Sequence, residues 1–392
     1  MNDAKTQSPL IFLIAGEHSG DQLGKSLMRG LKELDPHVRF TGVGGPAMQG
    51  EGLTSIFPME DLSVMGLSEV LPRLPLLLRR IRQTITEVRT CRPDCVVTID
   101  SPDFCFRVAK KLKGDDIPLV HYVAPSVWAW RPGRAKKIAG FLDHLLALLP
   151  FEPPYFEREG LKCSFIGHPI LESGLDQGDG AAFRKQYDIQ SEKRLLCMLP
   201  GSRRGEIERL LPVFCDTVSL LKHKIPELHV IIPTLSTTHE LVKSIISKRD
   251  FNATIVNSAH EKEKADIFAS CQAALAASGT VALELAVAKV PTVIAYKVSP
   301  LTAFIARRVL KNRFYSLINL TLDRLATPEN MQENCTAEIL AMDVEKLFND
   351  PSTSEQQRQS YEEALIKLGK GTVNPGKMAA QCILDTISHK QN

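Results

Sequence analysis

The stretch LIFLIAGEHSGD, residues 10–21, decides how the fold is read. Leu10–Ala15 is apolar without alternation, the pattern of a strand buried on both faces of a parallel sheet. Gly16-Glu17-His18-Ser19-Gly20-Asp21 then turns straight into a helical pattern over Gln22–Leu34, and a second short strand follows at Arg39–Val43. Outward from this unit the same alternation recurs at Cys95–Ile99, a helix around Phe104–Leu112, Pro118–Val123 and His144–Leu148. Around residues 172–192 the chain turns polar and glycine-containing, a plausible boundary. A second series begins at Leu195–Leu199, with a helix over Glu206–Lys222, then Leu228–Ile232, a helix near His239–Ser247, Ala253–Val256, Gln272–Ala276, a helix from Thr280, and Pro291–Ala295. Strands alternating with amphipathic helices predict an α/β protein with two tandem units and a cleft between them. Ligands of such sheets sit at the carboxyl ends of the strands.

A chain of 392 residues suits two cores better than one. The expected domains are 1–180 and 190–345, followed by packing helices over 346–392. A formal charge of +3 is too small to argue for nucleic acid, and none is expected as a partner. The nine cysteines are odd in number, and several fall in strand-like runs, unlike a secreted disulfide framework. Cys91 and Cys95 form a lone CRPDC pair without the second pair that a zinc site needs. No apolar run reaches the ~18 residues of a spanning helix. The protein is expected to be cytoplasmic, lying against a membrane at most.

The chemistry is expected in the loops after the strands. The first loop occupies the place of a phosphate loop but carries Glu17 and Asp21, which would repel a pyrophosphate. Asp21 reads as a helix cap, and Glu17 reads as either functional or capping. Asp100 ends the strand Cys95–Ile99 and so points into the cleft, with Asp103 close enough for one of the two to cap the next helix. In the second unit, Gly201-Ser202-Arg203-Arg204-Gly205-Glu206 leads into a helix, and Arg203 can add bidentate donors to a diphosphate. Ser278-Gly279-Thr280 again puts small residues ahead of a helix, and Glu284 is placed to accept bonds from ribose hydroxyls. Two such loops in one unit favour a nucleotide diphosphate there.

Two apolar stretches are dense in cations. Residues 62–88 carry Arg73, Arg79, Arg80 and Arg82. Residues 301–317 set Phe304, Ile305, Val309 and Leu310 beside Arg307, Arg308, Lys311 and Arg313. Each reads either as a face for anionic lipid or as a core helix with a solvated charged side. Both tryptophans, Trp128 and Trp130, fall in one loop after a strand, which suggests a binding surface.

Together, AGEHSGD (15–21), VMGLSEVL (64–71), IDSPDF (99–104), HYVAPSVWAWR (121–131), LPFEPPYF (149–156), FIGHP (165–169), LPGSRRGEI (199–207), ASGTVALE (277–284) and SLINL (316–320) resemble the lipid-A-disaccharide synthase family. The resemblance implies two facing Rossmann-like domains of the GT-B type with an interdomain cleft. It also implies a peripheral enzyme on the inner face of the inner membrane that needs no metal or other cofactor. The implied reaction joins UDP-2,3-diacylglucosamine to 2,3-diacylglucosamine 1-phosphate (lipid X), giving the β-1,6 disaccharide 1-phosphate and UDP. Carried over residue by residue, the family's functional positions are Glu17, Asp100, Arg203 and Asn319. Arg204 and Ile318 depart from the family pattern, where a small residue and a proline are frequent. Whether Asp100 or Glu17 is the general base, and whether the tail makes a homodimer, stay open at this stage. The rival readings are a UDP-N-acetylglucosamine epimerase or a muramyl-type glycosyltransferase on the same fold, and a non-enzymatic membrane-binding protein.

Overall fold

A computed structural model describes residues 8–62, 67–130, 133–258, 261–299, 303, 313–372 and 374–391, with the side chains of 67–72, 129–130 and 391 excepted. The chain separates into two compact units, residues 1–169 with 368–392, and residues 170–367.

The first unit is a parallel sheet of seven strands: β1 (Leu10–Ala15), β2 (Arg39–Val43), β3 (Thr54–Ser55), β4 (Cys95–Ile99), β5 (Leu119–Tyr122), β6 (His144–Ala147) and β7 (Lys162–Phe165). Their order across the sheet is β3-β2-β1-β4-β5-β6-β7. Ile11 to Ala15 and all of β4 are buried, as unbroken apolar runs require when helices cover both faces. The register sets Ile14 beside Val43 on one side and beside Thr98 on the other. The chain therefore reverses its direction of travel across the sheet between β1 and β4, and the crevice at a topological switch point opens there.

The second unit repeats the plan with β8 (Arg194–Leu199), β9 (Leu228–Thr234), β10 (Ala253–Asn257), β11 (Ala273–Ala277), β12 (Thr292–Tyr296) and β13 (Glu329–Met331), in the order β10-β9-β8-β11-β12-β13. Its switch point lies between β8 and β11, where Met198 is in register with Leu275.

The C-terminal helices expected as one group are shared between the units. Pro351–Lys367 belongs to the second, whereas Pro375–Gln391 returns to the first. There Ala379, Ala380, Ile383 and Ile387 join the first unit's hydrophobic core. The helix His18–Leu34 meets this returning helix through glycine. A Cβ on Gly30 would stand 2.5 Å from the Gly376 carbonyl oxygen, and one on Gly376 would stand 2.4 Å from Ser26 Oγ. No described helix is long and apolar enough to cross a membrane.

Candidate active site

In the first unit, the loops after β1 and β4 meet at the switch point. Gly16 has to be glycine there, because an added Cβ would lie 2.6 Å from Ser101 Oγ. Asp100 and Ser101 both hold left-handed backbone, with φ of +52° and +42°. Two successive non-glycine residues in that region cost on the order of 1–2 kcal/mol each. The Asp100 amide donates to the Tyr122 carbonyl at 2.9 Å, so the strained turn is tied to β5. Its carboxylate is half-buried and accepts from Ser19 Oγ at 3.1 Å. Glu17 sits at the cap position of the helix His18–Leu34 in extended backbone, and its side chain makes no cap bond.

Asp21 has a different task from the cap on its own helix that the sequence suggests. It is buried and accepts from the amides of Gly45 (2.9 Å), Ala47 (2.9 Å) and Met48 (3.0 Å). It thereby caps the short helix Pro46–Gln49 after β2. Asp103 is exposed in the first turn of the helix Pro102–Leu112.

The histidines of this unit differ in burial. His121 is buried, with Nδ1 2.7 Å from Thr98 Oγ1 and its ring edge-on to Phe106; burial pushes its pKa down to about 3. His144 bridges Ser164 and Thr386, and burial lowers it to about 4, as it does His168. All three are neutral at ordinary pH. His18 alone is exposed at the first loop.

In the second unit a pocket of about 460 Å³ opens at the ends of β8, β9 and β11. Gly201, Ser202, Arg203, Ser278, Gly279, Thr280 and Glu284 all line it. Gly201 holds φ +109°, and a Cβ there would lie 2.6 Å from Glu206 Oε2. Arg203 stands at the N-cap position of the helix Arg204–Lys222, where Glu206 Oε2 accepts from its backbone N–H at 3.4 Å; its Nη1 rests 3.3 Å from Glu206 Oε1, and its side chain is 72% exposed. That guanidinium is free to swing onto an anion, and the helix start presents its own unpaired amides beside it. Arg204 points elsewhere: Nε donates to Glu208 at 2.8 Å, and the residue does not line the pocket.

Lys264, which the sequence reading did not single out, lines the same pocket and pairs with Glu284. It lies in EKEKADIF, a run whose charges look like any solvated helix face. Ser19 was also passed over, although its loop was singled out.

Asn319 does not line this pocket. It is fully buried, and its amide is saturated within the chain. Nδ2 donates to the Thr327 carbonyl (2.8 Å) and Glu329 (2.7 Å), while Oδ1 accepts from the Ala326 and Thr327 amides (2.8 and 2.9 Å). No valence is left for a ligand. Glu329 in turn accepts from the Tyr315 and Ser316 amides, and the Tyr315 carbonyl accepts from Ser278 Oγ at 3.4 Å. Asn319 therefore braces the edge of the pocket from behind.

Among the cationic stretches, Arg80 is committed inward, paired with Asp61 and lying over the Phe57 ring. Arg73, Arg79 and Arg82 are exposed, beside Leu74 and Leu78 at 42% and 40% exposure. Residues 63–66, 300–302 and 304–312 lie outside the described residues, and so does most of the second stretch. The Trp130 side chain is outside them as well, whereas Trp128 donates to the buried Glu152 at 3.2 Å.

A sequence model of the family described as lipid-A-disaccharide synthetase matches residues 11–383. The chain belongs to the lipid-A-disaccharide synthase family. It is 50% identical over 384 residues to the lipid-A-disaccharide synthase of Rhodospirillum centenum, covering 97% of this chain and 95% of that one. It is 50% identical over 383 residues to that of Paramagnetospirillum magneticum, with 96% and 97% covered. It has the activity of a glycosyltransferase of this type. Among solved structures it is similar to a putative UDP-N-acetylglucosamine 2-epimerase from Listeria monocytogenes, at TM-score 0.67 and 13% identity over 98% of this chain and 97% of that one. MurG from Acinetobacter baumannii matches at TM-score 0.54 and 13% identity, over 96% and 99%. At such identity the likeness is one of fold, and it bears out the paired Rossmann-like architecture. The epimerase and muramyl-type readings thus share the scaffold, while identity along nearly the whole chain assigns the family.

Proposed function

We propose that the chain transfers 2,3-diacylglucosamine from UDP to the 6-hydroxyl of 2,3-diacylglucosamine 1-phosphate, with the second unit holding the donor and the first the acceptor. The observation that carries the reading is the 460 Å³ pocket of the second unit, where both small-residue loops, Arg203 and Glu284 converge. Backbone amides near Gly201 and the two helix starts would meet the diphosphate, and Arg203 would leave Glu206 for it. Glu284 would exchange Lys264 for ribose hydroxyls. Asn319 supports this pocket through Glu329 without touching the nucleotide.

At the first unit's switch point, Asp100 takes the proton of the attacking hydroxyl as the new O6–C1 bond forms and the bond from C1 to UDP breaks. An α-linked donor and a β-linked product require one inverting displacement with no glycosyl-enzyme intermediate. Glu17 is the second choice for the base, or else it orients the acceptor. The strained backbone of Asp100 and its bond from Ser19 support the first assignment, because strain held in place at a loop is a mark of functional sites. The leaving diphosphate is neutralised by Arg203 and helix termini, and turnover is expected with chelator present.

The test is product formation from the two acylated sugars in detergent, without added divalent metal. Disaccharide 1-phosphate and UDP should appear. Asp100→Ala should lower kcat by about 100- to 10,000-fold, the usual worth of a general base, while UDP still binds. Near-normal turnover by that variant would remove Asp100 from the role.

A further inference from the structure

The helix Pro102–Leu112 leaves the Asp100 turn and forms the back of a groove of about 1090 Å³ that lies wholly within the first unit. The helices Leu67–Cys91 and Gly133–Ala139 contribute to its walls. Its floor is apolar, made by Leu78, Ile81, Phe106, Ile138 and Phe141. Arg107, Lys110, Lys111, Arg134 and Lys137 line the same groove, and Pro102 and Asp103 close the end beside the catalytic turn. The Lys110 ammonium lies 5.4 Å from the centre of the Phe141 ring, and the Arg134 guanidinium 5.6 Å from that of Phe106. Both cations thus stand over the aromatic part of the floor. Among the described residues, the ion pairs of the first unit use other cations.

An apolar trough and a set of cations that form no ion pair among the described residues make opposite demands that one kind of ligand meets. Its body must be hydrocarbon and its head anionic. A flat bilayer surface would be met by a convex stripe of side chains, whereas a concave groove encloses a single chain from several sides. The position along the helix narrows the choice further. Arg107 and Lys110 stand about 6 and 10 Å beyond Asp103 at the ordinary rise of ~1.5 Å per residue, a span comparable to one sugar ring with its phosphate.

We propose that this groove seats the acceptor, with its anomeric phosphate against Arg107 and Lys110 and an acyl chain along Leu78, Ile81 and Phe141. The proposal rests on the transferase reading above and adds to it the place where the lipid is recognised. Binding here would hold the sugar's free hydroxyl toward Asp100 while the charge is read at the far side of the ring.

The test uses the full chain and the double variant Arg107→Gln/Lys110→Gln, whose exposed side chains can change without loss of the thermal midpoint. In detergent, KM for the phosphorylated acceptor should rise about tenfold to a hundredfold, as expected for losing charge-assisted bonds, with donor KM unchanged. The same acceptor lacking its phosphate should be used equally by both proteins. Equilibrium binding of the phosphorylated acceptor without donor should weaken in parallel, which tests the groove even where no disaccharide forms. No disaccharide from folded wild-type protein would count against the transferase reading alone. An unchanged acceptor affinity in the double variant would overturn the groove assignment. So would a loss confined to binding vesicles of anionic phospholipid, because the cations would then face the bilayer.

Discussion

Three polar residues at the loops illustrate how similar side chains come to different uses. Asp100 keeps part of its surface open and has one side-chain donor, Ser19. Asp21, in the same region of the fold, spends its carboxylate on three backbone amides and has no surface left. Asn319 likewise has every valence filled. Arg203 and Asn319 should therefore separate cleanly in experiment. Arg203→Ala, at an exposed side chain, should weaken UDP binding about tenfold or more and leave the thermal midpoint unchanged. Asn319→Ala leaves several buried partners unsatisfied and should cost about 3 kcal/mol or more of the second unit's stability, with UDP binding falling as a consequence. Calorimetric unfolding and UDP titration of both variants check this. Equal, unshifted midpoints would return Asn319 to a direct role.

At the scale of elements, the contact between His18–Leu34 and Pro375–Gln391 is the one that sequence periodicity hides. The tail helix is only weakly amphipathic in pattern, yet Ala379, Ala380, Ile383 and Ile387 complete the first unit's core. Its approach depends on glycine facing backbone at Gly30 and Gly376. Gly30→Leu should destabilise the first unit by about 2–3 kcal/mol through overpacking against main chain that cannot move aside. Denaturant unfolding followed by proteolysis would show the first unit opening earlier while the UDP-protected second unit resists. The strands themselves were legible: Arg39–Val43 and Cys95–Ile99 occur as expected, and β1 has the expected limits. The two-residue β3, and β7 and β13 with their mixed burial, escaped because short, half-buried strands carry too little hydrophobic signal to stand out.

For the molecule as a whole, the unequal placing of buried histidine predicts how stability follows pH. His121, His144 and His168 all belong to the first unit, and each has its pKa lowered by burial from 6.5, to about 3 for the first and about 4 for the others. Between these values the unfolded chain binds protons that the folded unit does not, so stability falls as pH falls from about 6.5 toward 4. His121→Phe removes one such group and should flatten that slope by about 1.4 kcal/mol per pH unit. Unfolding midpoints at several pH values check it, and an unaltered slope would mean that His121 is protonated in the folded state. Of the candidate site, the loops were legible because loop chemistry is local: glycine where backbone is tight, arginine and carboxylate where charge is handled.

Sequence alone determined the class of fold, the two tandem units, the approximate positions of most strands and the family. Periodicity and motif spacing are properties of neighbouring residues, set by backbone geometry and by which faces meet solvent. Tertiary structure alone decided that Asp21 caps a helix 24 residues on, that the Asn319 amide is spent on Glu329 and its neighbours, and that Lys264 faces Glu284. It alone brought the tail back to the first unit and aligned cations from separate helices around one apolar groove. Those outcomes depend on contacts between distant residues, whose partners are chosen by shape and by the need to satisfy every buried polar group, and neither leaves a mark on residue type.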